Sequence, residues 1–222
     1  MKTNKKELTV FALCAYAIPF LMMPLLYICL HNGQDTSIFA NAQMFYPAAG
    51  VMLAFLLAKR QDTPKRFYIL YLAAAAVMLA ASVLSAVMPQ APWLWIANLV
   101  IVIASVLGWI FLLTEKKEKR EACGLRLHGK LITALGICVY FLAVKTGMVF
   151  LSMAMQGGDS WAEYLAYWRT AAPWVIAVAL IPNFFLSFLP FFGEEYGWRY
   201  YLTPALQSRF GARRGALAVG VL

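Results

Sequence analysis

The sequence predicts an all-α fold, a polytopic transmembrane helix bundle, on three observations. Of its 222 residues, 63% are hydrophobic and 13% charged, where an ordinary soluble domain carries about 25% charged residues. Mean hydropathy is +0.70, and the apolar residues fall into runs of about 20, the length that crosses a bilayer core. Basic residues gather in short clusters between alternate runs, as membrane topology requires. The net charge of +9 therefore reads as a topology signal, and nucleic acid is excluded as a partner.

Met1 to Glu7 is a polar start carrying Lys2, Lys5 and Lys6. Leu8 to Leu30 is the first span. It is too long for a signal peptide and lacks a small-x-small cleavage site, so it reads as a retained helix. A loop without Lys or Arg (His31 to Ser37) leads to the second span, Ile38 to Ala58, with Asn41 and Gln43 near its outer end. Lys59 to Arg66 is a tight basic loop. Phe67 to Met88 and Pro92 to Thr114 are the third and fourth spans, joined by the uncharged turn Pro89-Gln90-Ala91.

The loop Glu115 to Lys130 holds Lys116, Lys117, Lys119, Arg120, Arg126 and Lys130. Leu131 to Met155 is the fifth span. Gln156 to Thr170 reads as an outer loop with Arg169 and two aromatic anchors, Trp161 and Trp168. Ala171 to Phe192 is the sixth span, interrupted by Pro182 and Pro190, each able to kink it. Gly193 to Gln207 reads as helical, with Gly211 as its stop. Gly215 to Leu222 reads as the opening of a further span, and the sequence is expected to be a truncated product or fragment.

With the N-terminus in the cytoplasm, the inner segments collect nearly all the basic residues, and the outer ones only Arg169. The positive-inside rule then fixes the orientation. The chain is expected to be a multi-pass protein of a bacterial plasma membrane. Lys145 and Arg199 remain within apolar or interfacial sequence. Lys145, at mid-span, is expected to find a partner inside the bundle, the acidic pair among the candidates, and Asn183 could line the same cavity. Cys14, Cys29, Cys123 and Cys138 show neither metal nor disulfide spacing and read as small apolar residues. The run Lys116 to Arg120 reads as a topology determinant, with anionic lipid as a further ligand.

The chemistry concentrates in Phe191-Phe192-Gly193-Glu194-Glu195-Tyr196-Gly197-Trp198-Arg199-Tyr200-Tyr201. Only ten acidic residues occur in the chain, and two of them stand side by side here. On a helix, Glu195 and Arg199 share one face and can pair. Glu194, turned about 100° away, is left free and flanked by apolar residues. Such a carboxylate is expected to hold its proton more tightly, and can serve as a general base toward water or as a hard metal ligand. Gly193 and Gly197 leave room for a backbone, a substrate or a second helix.

Glu-Glu-Tyr-Gly-Trp-Arg resembles the E-E-x-x-x-R motif of the CPBP family, the CAAX proteases and bacteriocin-processing (Abi) enzymes. Tyr201 to Leu206, reading Tyr-Leu-x-Pro-x-Leu, extends the likeness, as do the basic loop ahead of the fifth span and the new span opening at Gly215. The resemblance divides the chain into an N-terminal four-span region, 1–130, and a partial CPBP core, 131–222. It implies an intramembrane endopeptidase acting near the cytoplasmic side on a peptide or membrane-protein substrate within the lipid bilayer. Glu194 would activate water, and Glu195 and Arg199 would support it. It also implies later histidine motifs, and a divalent metal such as zinc as the cofactor to consider, with Glu194 or Glu195 as ligand. His31 and His128 match none of those positions and read as loop residues, so the chain as given is expected to be inactive. The alternatives are a non-catalytic membrane scaffold or bacteriocin self-immunity protein, and a transporter relaying protons through Glu194, Glu195 and Lys145.

Overall fold

A computed structural model describes residues 4–125, 131–156 and 158–221. Every regular element among them is helical, with no strand. Helix α1 runs Lys5–His31, α2 Ser37–Leu57, α3 Lys65–Val87 and α4 Trp93–Thr114. A short α5 (Lys117–Ala122) and α6 (Leu131–Gln156) follow. These four and α6, through its stretch Leu135–Met155, are long and apolar enough to cross a membrane, consistent with an integral membrane protein. Next come α7 (Gly158–Trp168), α8 (Ala172–Leu186) and α9 (Phe188–Glu194). A π-helical segment (Glu195–Leu202), α10 (Thr203–Phe210) and α11 (Ala212–Val221) complete the order.

Two expectations need revision. The outer loop is largely helix α7, because Trp161, Tyr164 and Trp168 recur at helical spacing and stack on neighbours. The stretch expected as the sixth span is broken at Ser187, which leaves the helical region (φ −122°, ψ 26°). Pro190 explains the break: its ring would clash with the carbonyl of Leu186, and its nitrogen cannot donate back. The freed groups are met elsewhere. Leu189 N–H donates to Ser105 Oγ at 3.4 Å, and Trp109 Nε1–H donates to the Phe185 carbonyl at 3.0 Å.

The chain forms two compact units, Met1–Leu125 with Phe185–Leu222, and Arg126–Phe184. In the second, Phe150 of α6 stacks on Trp161 of α7 (centroids 5.5 Å apart), and Trp168 meets Trp174 edge-on. Lys145 is exposed on α6 and forms no ion pair among the described residues. Asn183 lies on α8 next to Pro182, inside that helix. His128 lies outside the described residues. His31 ends α1, its ring stacked on Tyr27.

The first unit holds the main core. Phe11 and Ala15 of α1, Phe45, Val51, Met52 and Phe55 of α2, and Phe67, Tyr68, Tyr71 and Met78 of α3 are buried there. Leu189, Tyr196, Tyr201 and Leu202 join them, so the acidic segment is built into the bundle.

One lock closes the basic end of this unit. Asn4 caps α1, and Glu7 answers at the third position, a reciprocal capping box. Glu7 also receives Arg60 in a bidentate pair, Nε at 3.0 Å and Nη2 at 2.9 Å from Oε1, with Nη2 2.9 Å from Oε2. The guanidinium sits 3.9 Å over the Phe55 ring, a cation–π placement that suits Arg better than Lys. Arg60 therefore ties α1 to the end of α2 besides contributing to topology.

Candidate functional site

The acidic pair stands at the junction of two helical geometries. Glu194 is the last residue of α9 and Glu195 the first of the π-helical segment. Thr203 reports the wider winding, since its backbone N–H donates to the carbonyl of Trp198, five residues back. Its hydroxyl donates to the same oxygen at 2.8 Å. π-Helical turns inside α-helices concentrate at functional sites. A second one, Leu13–Ala17, lies in α1 and contributes Tyr16, whose ring centroid is 5.5 Å from that of Trp198.

The pairing expected from spacing is present: Arg199 Nη1 lies 2.8 Å from Glu195 Oε2. Both side chains are open, at 78% and 54% exposure, so the bridge adds little stability. Its effect is positional, fixing one carboxylate and leaving the other. Glu194 is exposed and makes no hydrogen bond or ion pair among the described residues. Phe191, exposed beside it, makes the surroundings apolar. The two carboxylates and the arginine thus occupy one open face.

The opposite face anchors the segment. Phe188, Phe192, Tyr196 and Tyr200 form an aromatic ladder at intervals of four, with successive centroids 6.1, 5.0 and 4.6 Å apart. The upper two rings lie nearly parallel, at 11°. Phe192 meets Phe67 and Tyr71 edge-on. The Tyr196 hydroxyl lies 2.6 Å from that of Tyr68 and donates to the Cys123 carbonyl at 3.0 Å. The Cys123 thiol donates to the Asp62 carbonyl at 3.3 Å. These bonds join α3, both basic loops and the acidic segment.

Gly193 and Gly197 supply the close approach. A Cβ at Gly193 would strike the Met44 carbonyl oxygen and the Tyr71 hydroxyl, and one at Gly197 would strike Pro47. The room left by these glycines is taken by the backbone of α2. That contact also sets depth. At about 1.5 Å per residue, Tyr71 lies about 9 Å from the Lys65 end of α3. On the same measure Pro47 lies about 15 Å from the Leu57 end of α2. Gly193 therefore lies inside the bundle, and the segment runs from it toward the basic loops, where Tyr196 meets the Cys123 carbonyl and Tyr200 the Ala122 carbonyl.

The ladder was legible as F-x-x-x-F-x-x-x-Y-x-x-x-Y from Phe188 to Tyr200, and the Asn4–Glu7 box as N-x-x-E. Sequence reasoning missed both. Nothing local signals Tyr68, Tyr71 or Arg60, whose partners lie far along the chain.

Two measurements test this anchoring. Tyr196→Phe leaves the Tyr68 hydroxyl and the Cys123 carbonyl without their partner in a buried site. It is expected to cost about 1–3 kcal/mol, read as a lower unfolding midpoint in detergent. Burial pushes the Cys123 thiol up from its ordinary value, the charge of Asp62 adding while Tyr68 and Arg60 oppose. Alkylation needs the thiolate. Cys123 is therefore expected to resist iodoacetamide at pH 8 in the folded protein, to react faster as pH rises, and to react fully once unfolded.

A metal was tested against the donors present. Among the described residues no three His, Cys, Asp or Glu side chains cluster to hold an ion, and Glu195 is engaged by Arg199. A catalytic zinc takes three protein ligands, so this donor set does not fit one. Comparison with protein-family models, curated proteins and solved structures gives no match to this chain.

Proposed function

We propose that the acidic segment is the carboxylate half of an intramembrane endopeptidase site of the CPBP type, in a chain that crosses the membrane six times. The N-terminus is cytoplasmic. One observation carries the reading: an unpaired carboxylate, Glu194, adjoins a carboxylate fixed by Arg199 at 2.8 Å. Both stand exposed at the junction of α9 with the π-helical segment, which is anchored among the spans. Charged groups built in among spanning helices are costly and functional by default.

In this reading Glu194 takes a proton from a water molecule as its oxygen attacks a peptide carbonyl. Glu194 then returns that proton to the departing amine as the C–N bond breaks. Arg199 holds Glu195 at 2.8 Å, which leaves Glu194 as the carboxylate free to act as the base. Because Glu195 holds Arg199, donors to the oxyanion come from other side chains. The substrate is a membrane-anchored or prenylated-type peptide reaching the basic end of the bundle. The protein reconstituted in bilayers is expected to cleave such a peptide, and Glu194→Gln is expected to stop it. Absence of cleavage by the wild type would leave the carboxylates with a scaffold role.

A further inference from the structure

A second site lies at the basic end of α3 and α4. A cavity of about 350 Å³ is lined there by Lys65, Arg66, Lys116 and Lys119, with Glu115 and Thr114. The four cations come from two segments far apart in sequence. None of them forms an ion pair among the described residues. Glu115 is turned to the backbone, its Oε1 accepting from Lys116 N–H at 3.1 Å. Lys65 and Arg66 also form the first turn of a 23-residue helix, whose N-terminal dipole favours a negative ligand. Four cations crowded around one cavity repel each other unless an anion lies between them.

Apolar surface continues from the cavity along the spans. Ile69 is one turn from Lys65, and Ile110 one turn from Thr114. Both are exposed, and Phe111 gives the cavity lining an apolar wall. A free anion would use only the charges. An amphiphile would use both surfaces. Basic pockets between spanning helices are suited to lipid headgroups.

We propose that this cavity binds the phosphate-bearing headgroup of an anionic phospholipid, with its acyl chains along Ile69 and Ile110. The test is native mass spectrometry of the detergent-solubilised protein titrated with phosphatidylglycerol, phosphatidylcholine or inorganic phosphate. The wild type is expected to hold phosphatidylglycerol saturably and in preference to phosphatidylcholine. Lys65→Gln with Arg66→Gln is expected to weaken that binding about thirty-fold, each cation near an anionic headgroup being worth roughly a factor of five. Lys116→Gln with Lys119→Gln leaves α3 untouched and is expected to act similarly. Arg213→Gln with Arg214→Gln removes the same charge outside the cavity and is expected to change binding less than two-fold. Equal losses from all three pairs would overturn the proposal in favour of diffuse attraction. Binding of inorganic phosphate as tight as that of the lipid would overturn it in favour of a free-anion site.

Discussion

Glu194→Gln is expected to lower turnover about a hundred- to ten-thousand-fold, the usual contribution of a positioned general base, while leaving the unfolding midpoint unchanged. The side chain is exposed and makes no bond among the described residues, so its loss removes chemistry without removing packing. Its neighbours divide the roles further. Arg199→Ala frees Glu195 beside Glu194 and leaves its position unfixed. Turnover is expected to fall about a hundred-fold by misplacement. Arg199→Lys restores the charge but not the planar fork, and is expected to recover part of the rate. A merely structural Arg199 would instead lower the unfolding midpoint in both variants. Retained turnover in Glu194→Gln would remove that residue from the role of base.

Gly197→Ala is expected to have the largest effect on stability. An added Cβ meets the Pro47 side chain and lies 2.7 Å from the Pro47 carbonyl carbon and 2.9 Å from its Cα. The obstacle is mostly backbone, so no rotamer change relieves it. Overpacking of this kind costs about 1–3 kcal/mol and occasionally more. Helix α2 is interrupted at Met44 and Phe45, and Pro47 sits in the first turn of its second part, Tyr46–Leu57, so the strain passes to that interruption. That junction is steadied by the Tyr71 hydroxyl, 3.3 Å from the Phe45 carbonyl oxygen. Gly220→Ala is the control: nothing lies within 4 Å of its added Cβ, and alanine favours the helix by about 1 kcal/mol. Thermal unfolding in detergent is expected to show a lower midpoint for Gly197→Ala and an equal or higher one for Gly220→Ala. Equal midpoints for Gly197→Ala and the wild type would show that the helices can part there at no cost.

Residues whose meaning is local were readable in order. Apolar run length located α1 to α4 and α6, because a spanning helix must satisfy its own backbone and present apolar side chains over about 20 residues. Spacing of four placed Arg199 on Glu195, because helical neighbours meet whatever surrounds them. Gly193 and Gly197 announced a close approach, because only their missing Cβ permits one. The stretch expected as a sixth span was less legible. Hydropathy averages over Pro190, while the backbone cannot, and the helix stops at Ser187.

What the sequence alone determined is therefore the helical class, the long apolar helices and the composition of the acidic face. Each follows from interactions within about one turn or from the bulk cost of placing polar groups in lipid. The tertiary structure decided the rest. It chose α2 as the backbone that fills the glycine notch and set Tyr68 and Cys123 against Tyr196. It also paired Glu7 with Arg60 and gathered Lys65, Arg66, Lys116 and Lys119 around one cavity. These partners are separated by tens of residues, and only the packing of whole helices brings them together. The π-helical winding of Glu195–Leu202 belongs with them. The ladder of rings on one side and the α2 backbone on the other hold that segment, leaving its carboxylates on the open face.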